Sequence, residues 1–166
     1  MTFLAPVTAR HSVGVGDMKL ARNTGEIVVT HALGSCIGIA AHDPIAKVGG
    51  MLHYMLPDAA VSPDKAEKNP WMFASTGIPR FFDQLYKLGA SKSRLVVKVA
   101  GGSQLLDDKG LFAIGKRNHT AMRKLLWQQG LLVKSEHVGG TISRTLYLEI
   151  GSGRTWLTTG GKEIEL

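Results

Sequence analysis

Three β-type segments follow one another between residues 26 and 55 with no helical stretch between them: EIVVTH (26–31), CIGIAAH (36–42) and VGGMLHYM (48–55). They are rich in Val and Ile, and in part alternate apolar with other residues, as strands packed on a core do. Strands so close in sequence point to an α+β fold with largely antiparallel or mixed sheets rather than alternating βαβ units. Further strands are expected at 94–100, 131–137, 144–150 and 154–158. Two main helices stand out. In STGIPRFFDQLYKLG, Ile78, Phe81, Phe82, Leu85 and Leu88 recur at helical spacing, with Ser75 or Thr76 to cap the start, Pro79 in the first turn and Gly89 at the end. In NHTAMRKLLWQQG, Asn118 is the expected cap, Ala121, Met122, Leu125 and Leu126 form the apolar stripe, and Gly130 ends the helix.

The 166 residues suit a single domain, 1–166, with a sizeable core. The segment PDAAVSPDKAEKNP, residues 57–70, has three prolines and mixed charges and is expected to be a surface loop that interrupts the domain without dividing it. No apolar run approaches the roughly 18 residues of a spanning helix, and the N-terminus lacks a signal-type apolar core, so a cytoplasmic protein without membrane insertion is expected. The net charge of +7 is spread over short clusters. It reads as a solvated basic surface or as attraction to an acidic partner. No recognition helix or aromatic-basic motif points to nucleic acid.

The single cysteine, Cys36, excludes an internal disulfide and any CxxC chemistry. It follows Gly34-Ser35 and opens the second strand. If the turn DPIA is centred between Pro44 and Ile45, Cys36 lies directly opposite His53 on an antiparallel neighbour, with Cβ atoms about 5 Å apart. A tight turn around Leu33 would bring Thr30 level with Cys36 on the other side, giving Thr30, Cys36 and His53 on three adjacent strands. A free thiol, with a pKa of about 8.5, is mostly protonated at neutral pH. An imidazole can accept its proton to form a thiolate–imidazolium pair, and a hydroxyl can orient the imidazole. The residues alone leave this open against a packed cysteine and a satisfied histidine. GSCIG imitates a nucleophile elbow, but CIGIAAHD reads as a strand where the elbow demands a helix. A zinc site from His31, Cys36, His42 and His53 would have ligands spread too far along extended strands.

LGSCIGIAAHDPIAKVGGMLHYMLP, residues 33–57, resembles the signature of CheD, the chemoreceptor glutamine deamidase family of prokaryotic chemotaxis. The matching positions are Leu33-Gly34-Ser35-Cys36, Gly49-Gly50, His53 and Leu56-Pro57. Gly101-Gly102, Ile114-Gly115-x-Arg117-Asn118 and Gly139-Gly140 before Arg144 extend the likeness. The resemblance implies a three-layer α/β/β fold. It implies Cys36 as nucleophile, His53 as general base and Thr30 as the group orienting the histidine. Backbone N–H groups around Gly34 and Ser35 would form the oxyanion or substrate-binding site, and no cofactor or metal would be needed. Implied partners are chemoreceptor cytoplasmic domains and a CheC-type phosphatase, with a non-catalytic binding module as the alternative function. The sequence departs from the family pattern at Ser75, where Asp is usual, at Ala100, where Phe is usual, and at His137, where an acidic residue is usual.

Overall fold

The computed structural model describes residues 6–104 and 113–166. Ten strands are found: β1 (Ala9–Ser12), β2 (Asp17–Ala21), β3 (Glu26–Leu33), β4 (Ile37–Asp43), β5 (Val48–Tyr54), β6 (Val96–Gly101), β7 (Val133–Val138), β8 (Arg144–Glu149), β9 (Thr155–Thr159) and β10 (Lys162–Glu165). They form two five-stranded sheets, ordered β1-β3-β8-β9-β10 and β2-β5-β4-β6-β7. The β1–β3 and β6–β7 pairs are parallel and the others antiparallel, so both sheets are mixed. The helices are α1 (Pro63–Lys68), α2 (Ala74–Lys87) and α3 (Ile114–Gln128). The layers are helices, second sheet, first sheet, as the α/β/β expectation has it.

Side-chain alternation explains the stacking. Along β4, Ile37, Ile39 and Ala41 join Phe81, Phe82, Leu85 and Met122 in a core beneath α2 and α3. Ala40 of β4 and Met51 of β5 face the other way and meet Val28, Leu146, Leu148 and Leu157 of the first sheet. Every residue of β4 and β5 is therefore buried, as expected for strands covered on both faces.

Several expectations are corrected. The 57–70 segment is not a plain loop. It holds a 3-10 turn at Ala59–Val61 and α1, and a second 3-10 turn spans Pro70–Met72. Helix α2 starts earlier than expected, and Pro79 lies inside it. The two expected caps are engaged elsewhere: Ser75 Oγ accepts the Ala59 N–H at 2.9 Å and Thr76 Oγ1 donates to the Pro70 carbonyl at 2.6 Å. Helix α3 begins four residues before Asn118, which is a buried interior residue and not its cap.

The hairpin register also differs. Gly38, not Cys36, pairs with His53, and the last rung before the turn is Asp43 with Val48. The loop is two residues longer than DPIA centring supposes. Asp43 Oδ1 accepts the Ile45 and Ala46 N–H groups, the Asp43 carbonyl accepts the Lys47 N–H, and Lys47 takes φ 56°. A slip of two residues preserves the face, so Cys36 and His53 still lie on the same side of the sheet, diagonal instead of opposed. Such diagonals span about 7 Å between Cα atoms.

Candidate active site

The site forms where the chain leaves one sheet for the other. Strand β3 belongs to the first sheet and β4 to the second, and Gly34–Cys36 is the crossover. The three-adjacent-strands expectation is thus corrected: Thr30 reaches the histidine across the space between sheets. Just before the crossover, the β3–β8 register shifts between Thr30 and Leu33, and Ala32 adopts φ 55°. A non-glycine residue held in this left-handed region costs of order 1 kcal/mol and needs surrounding structure to hold it.

His53 and Thr30 are both completely buried. Thr30 Oγ1 lies 2.7 Å from His53 Nδ1 and 2.7 Å from the Val13 carbonyl. The carbonyl can only accept, so the hydroxyl's single proton goes there and the oxygen accepts from Nδ1–H. The imidazole is thereby fixed as the Nδ1–H tautomer, with its lone pair on Nε2. That Nε2 is buried and has no hydrogen-bond partner among the described residues. Burial lowers the His53 pKa to about 4, so the ring is neutral at physiological pH. Opposite His53, the space a side chain at Gly38 would take is filled by Leu33 and Leu146 of the first sheet.

Cys36 is half-buried against the inter-sheet core. Burial raises its pKa, and its own amide N–H, set against the sulfur, offsets only part of this. The thiolate–imidazolium pair considered from sequence is therefore not the resting state. The resting pair is a neutral thiol and a neutral imidazole with a free lone pair.

The crossover is held through its carbonyls. Gly34 O accepts from Ser103 N at 2.9 Å, Ser35 O from Asn118 Nδ2 at 2.9 Å, and Cys36 O from Gly102 N at 2.8 Å. The N–H groups of Gly34 and Ser35 have no hydrogen-bond partners among the described residues, while that of Cys36 is set against its own sulfur. Gly101 and Gly102, at φ 118° and 64°, bend β6 away from the crossover, and a side chain at Gly101 would run into the Cys36 carbonyl. Only glycine fits this approach.

Behind that glycine turn lies Arg144, buried without a carboxylate partner among the described residues. Its guanidinium donates to Gly101 O at 3.2 Å, Ser103 Oγ at 2.7 Å, Gly139 O at 2.8 Å and His137 Nδ1 at 2.8 Å. Burial, and then the Arg144 charge, lower the His137 pKa and keep that nitrogen an acceptor. His137 thus accepts from the arginine as a neutral ring. Ala100 sits in the same cross-strand row as His53, Gly38 and His137. Sequence reasoning assigned no site role to Arg144, Ser103 or Asn118; the signals were the glycine pairs beside them, whose close approaches are visible only in three dimensions. Of the histidines weighed and set aside for zinc, His31 is exposed and His42 is bonded to the Ile150 carbonyl at 2.7 Å. Among the described residues, no three His, Cys, Asp or Glu side chains group as a metal site.

Fold and site define an α/β/β protein with a cysteine on a sheet-to-sheet crossover and a hydroxyl-oriented histidine on the same face of the second sheet. The family model described as CheD chemotactic sensory transduction matches residues 55–159. The chain is 51% identical over 154 residues to a probable chemoreceptor glutamine deamidase CheD of Solibacter usitatus, covering 93% of this chain and 91% of that one. It is 47% identical over 149 residues to a CheD 1 protein of the same description from Syntrophus aciditrophicus, covering 90% and 93%. It is 36% identical over 156 residues to the chemoreceptor glutamine deamidase CheD of Thermotoga maritima, covering 93% and 96%. The chain belongs to the CheD family.

Proposed function

We propose that this protein is a chemoreceptor glutamine deamidase, a protein-glutamine glutaminase in which Cys36 is the nucleophile, His53 the general base and acid, and Thr30 the orienting group. The observation that carries this reading is the buried, unpartnered Nε2 lone pair of His53, fixed by Thr30 on the face shared with Cys36. The names of the relatives supply the substrate class.

A glutamine carboxamide enters beside the crossover. As sulfur bonds to the amide carbon, the thiol proton passes to Nε2, so the proton transfer accompanies the attack instead of preceding it. The N–H groups of Gly34 and Ser35 are available to the developing oxyanion. His53 then protonates the nitrogen, the C–N bond breaks, and ammonia leaves a thioester. Water attacks the thioester carbon while His53 takes its proton, the C–S bond breaks, and the imidazole returns the proton to sulfur. Glutamine and water become glutamate and ammonia, and the reaction balances with water as the only co-reactant.

The receptor surface is a helical coiled coil, and α3 offers a matching groove. Pro57 and Ser75 face Lys116, Arg117, Lys124 and Leu125 across a space of about 490 Å³. The three cations have no ion-pair partner among the described residues, and Asp58 is the one acidic lining residue. Action on receptor signalling domains favours a cytoplasmic location; among the described residues no helix is long and apolar enough to cross a membrane.

The test is incubation with a receptor cytoplasmic fragment, reading ammonia and the glutamine-to-glutamate mass change by peptide mapping. The wild-type protein should convert specific glutamines, and Cys36→Ala should convert none while remaining folded. Conversion by Cys36→Ala would sink the thiol mechanism. A wild-type protein that binds receptor or a CheC-type phosphatase without converting any glutamine would establish the binding module instead.

A further inference from the structure

We infer that Asn118 is a positioning residue that sets the separation between Cys36 and His53; the inference rests on the deamidase reading. Its side-chain amide donates to two carbonyls at once, Ser35 O and Met55 O, each at 2.9 Å. Ser35 immediately precedes the nucleophile. Met55 lies two residues beyond His53, just past the end of β5. The β4–β5 ladder ends at Ile37 paired with Tyr54, so the next backbone positions on the two strands, Cys36 and Met55, lie outside it. Asn118 spans this open end of the hairpin as a side-chain rung.

Three further observations support the role. Among the described residues Asn118 is the only side chain that donates to the carbonyls of Gly34–Cys36; the other two carbonyls are held by backbone N–H groups of the Gly102–Ser103 turn. The amide is completely buried and its Oδ1 has no partner among the described residues. Buried amides are ordinarily satisfied, and an amide with one atom orphaned is poorer packing than an apolar side chain of the same size. Its backbone is also tied down. The Tyr54 hydroxyl donates to the Asn118 carbonyl at 2.6 Å. One turn earlier, Gly115 packs so closely on the Gly102 and Ser103 carbonyls that no side chain fits. Gly115 and Asn118, three residues apart, share a helix face. The Gly-x-x-Asn spacing thus seats α3 on the turn that holds Cys36 and aims the amide at the crossover.

The experiment replaces the amide with an apolar group of similar size, Asn118→Leu. It compares this variant with Met122→Ala, a buried change one turn further along α3 that faces the helix core. Deamidation kinetics and thermal unfolding are measured on both. The expected result for Asn118→Leu is a kcat loss of about 100-fold, the scale of a roughly 1 Å misplacement of reacting groups, with KM within about threefold. Met122→Ala should keep its kcat despite lowered stability. Asn118→Leu with near-normal kcat, or kcat losses that track stability equally in both variants, would overturn the proposal. If Asn118→Leu is not recovered folded, Asn118→Ala is read by the same criteria.

A second readout does not depend on deamidation. Alkylation of Cys36 by iodoacetamide is measured with and without His53→Ala. That change should slow alkylation in the wild-type background and make no difference in the Asn118→Leu background. An equal slowing in both would overturn the positioning role. An absence of deamidation by the wild-type protein, with this coupling intact, would count against the deamidase reading alone.

Discussion

His53 concentrates the chemistry in one titration. The pKa of about 4 follows from burial and not from a charged neighbour. The proposed base therefore stays unprotonated well below the 6.5 or so of a free histidine. The acid limb of kcat/KM should accordingly have its midpoint near 4; a midpoint near 6.5 would mean that the ring is solvated when it acts. Stability moves in a related window. The unfolded chain takes up the histidine proton at about pH 6.5 and the folded protein only at about 4, so stability should fall as pH drops between those values, by up to about 3 kcal/mol. Urea midpoints at neutral pH and at pH 4.5 would read this, and His53→Ala should flatten the slope. Thr30→Val keeps the shape but removes the acceptor for Nδ1–H and frees the ring to choose the wrong tautomer. A loss of about 100-fold in kcat is expected, on the low side of what general acid–base catalysis supplies, with recovery in Thr30→Ser. No recovery would mean that the methyl group matters and the hydroxyl does not.

The β4–β5 hairpin carries the next prediction. Asp43 is fully buried, yet its carboxylate accepts from the Ile45, Ala46 and Ser91 N–H groups and from the Arg94 guanidinium, 2.9 Å away. Burial alone would raise its pKa; these donors outweigh burial and hold it well below the usual carboxylate range. A depressed pKa means that the stabilisation is complete above the unfolded value of about 3.9 and is lost as pH falls below it toward the folded value. Asp43→Ala strands four donors and should cost about 3 kcal/mol at neutral pH, with a shallower acid-denaturation curve than wild type. A cost under about 1 kcal/mol, measured by chemical denaturation, would show that the hairpin is set by its strands and not by this carboxylate. The same residue shows where sequence reading reaches and stops. That Asp43-Pro44 opens a turn was legible from the sequence. That Asp43 would hold two amides and lengthen the loop by two residues was not, because loop length depends on partners such as Arg94 and Ser91, about 50 positions away in the chain. The face of Cys36 and His53 survived the error only because strand periodicity is two. Likewise, β1, β2 and β10 carry short, partly polar segments such as ARHS and KEIE, which become strands by completing sheet edges, not through local preference.

At the scale of the whole molecule, the layer order decides what the substrate meets. Stacking two sheets puts Thr30 and His53 in the dry seam between them, while α3 faces outward with its cations beside the end of the hairpin. The three-layer arrangement was legible from family resemblance and coarse strand order; the crossing of Thr30 to the opposite sheet was not, since nothing local in HALGS tells a crossover from a hairpin turn. This division separates binding from chemistry. Lys116 and Lys124 are exposed and touch none of the reacting groups, so charge reversal at both should leave the site intact and change only the meeting with an acidic helical surface. Each exposed charge is worth little alone, and the effect should be strongest at low salt, where the Debye length of about 30 Å at 0.01 M lets the charges act together. Lys116→Glu combined with Lys124→Glu should raise KM for a receptor fragment by about tenfold at low ionic strength and hardly at all near 1 M salt, with kcat and Cys36 alkylation unchanged. A KM rise that persists at high salt would point to lost packing in the groove and not to steering. No rise at either salt concentration would place the receptor on another face of the protein.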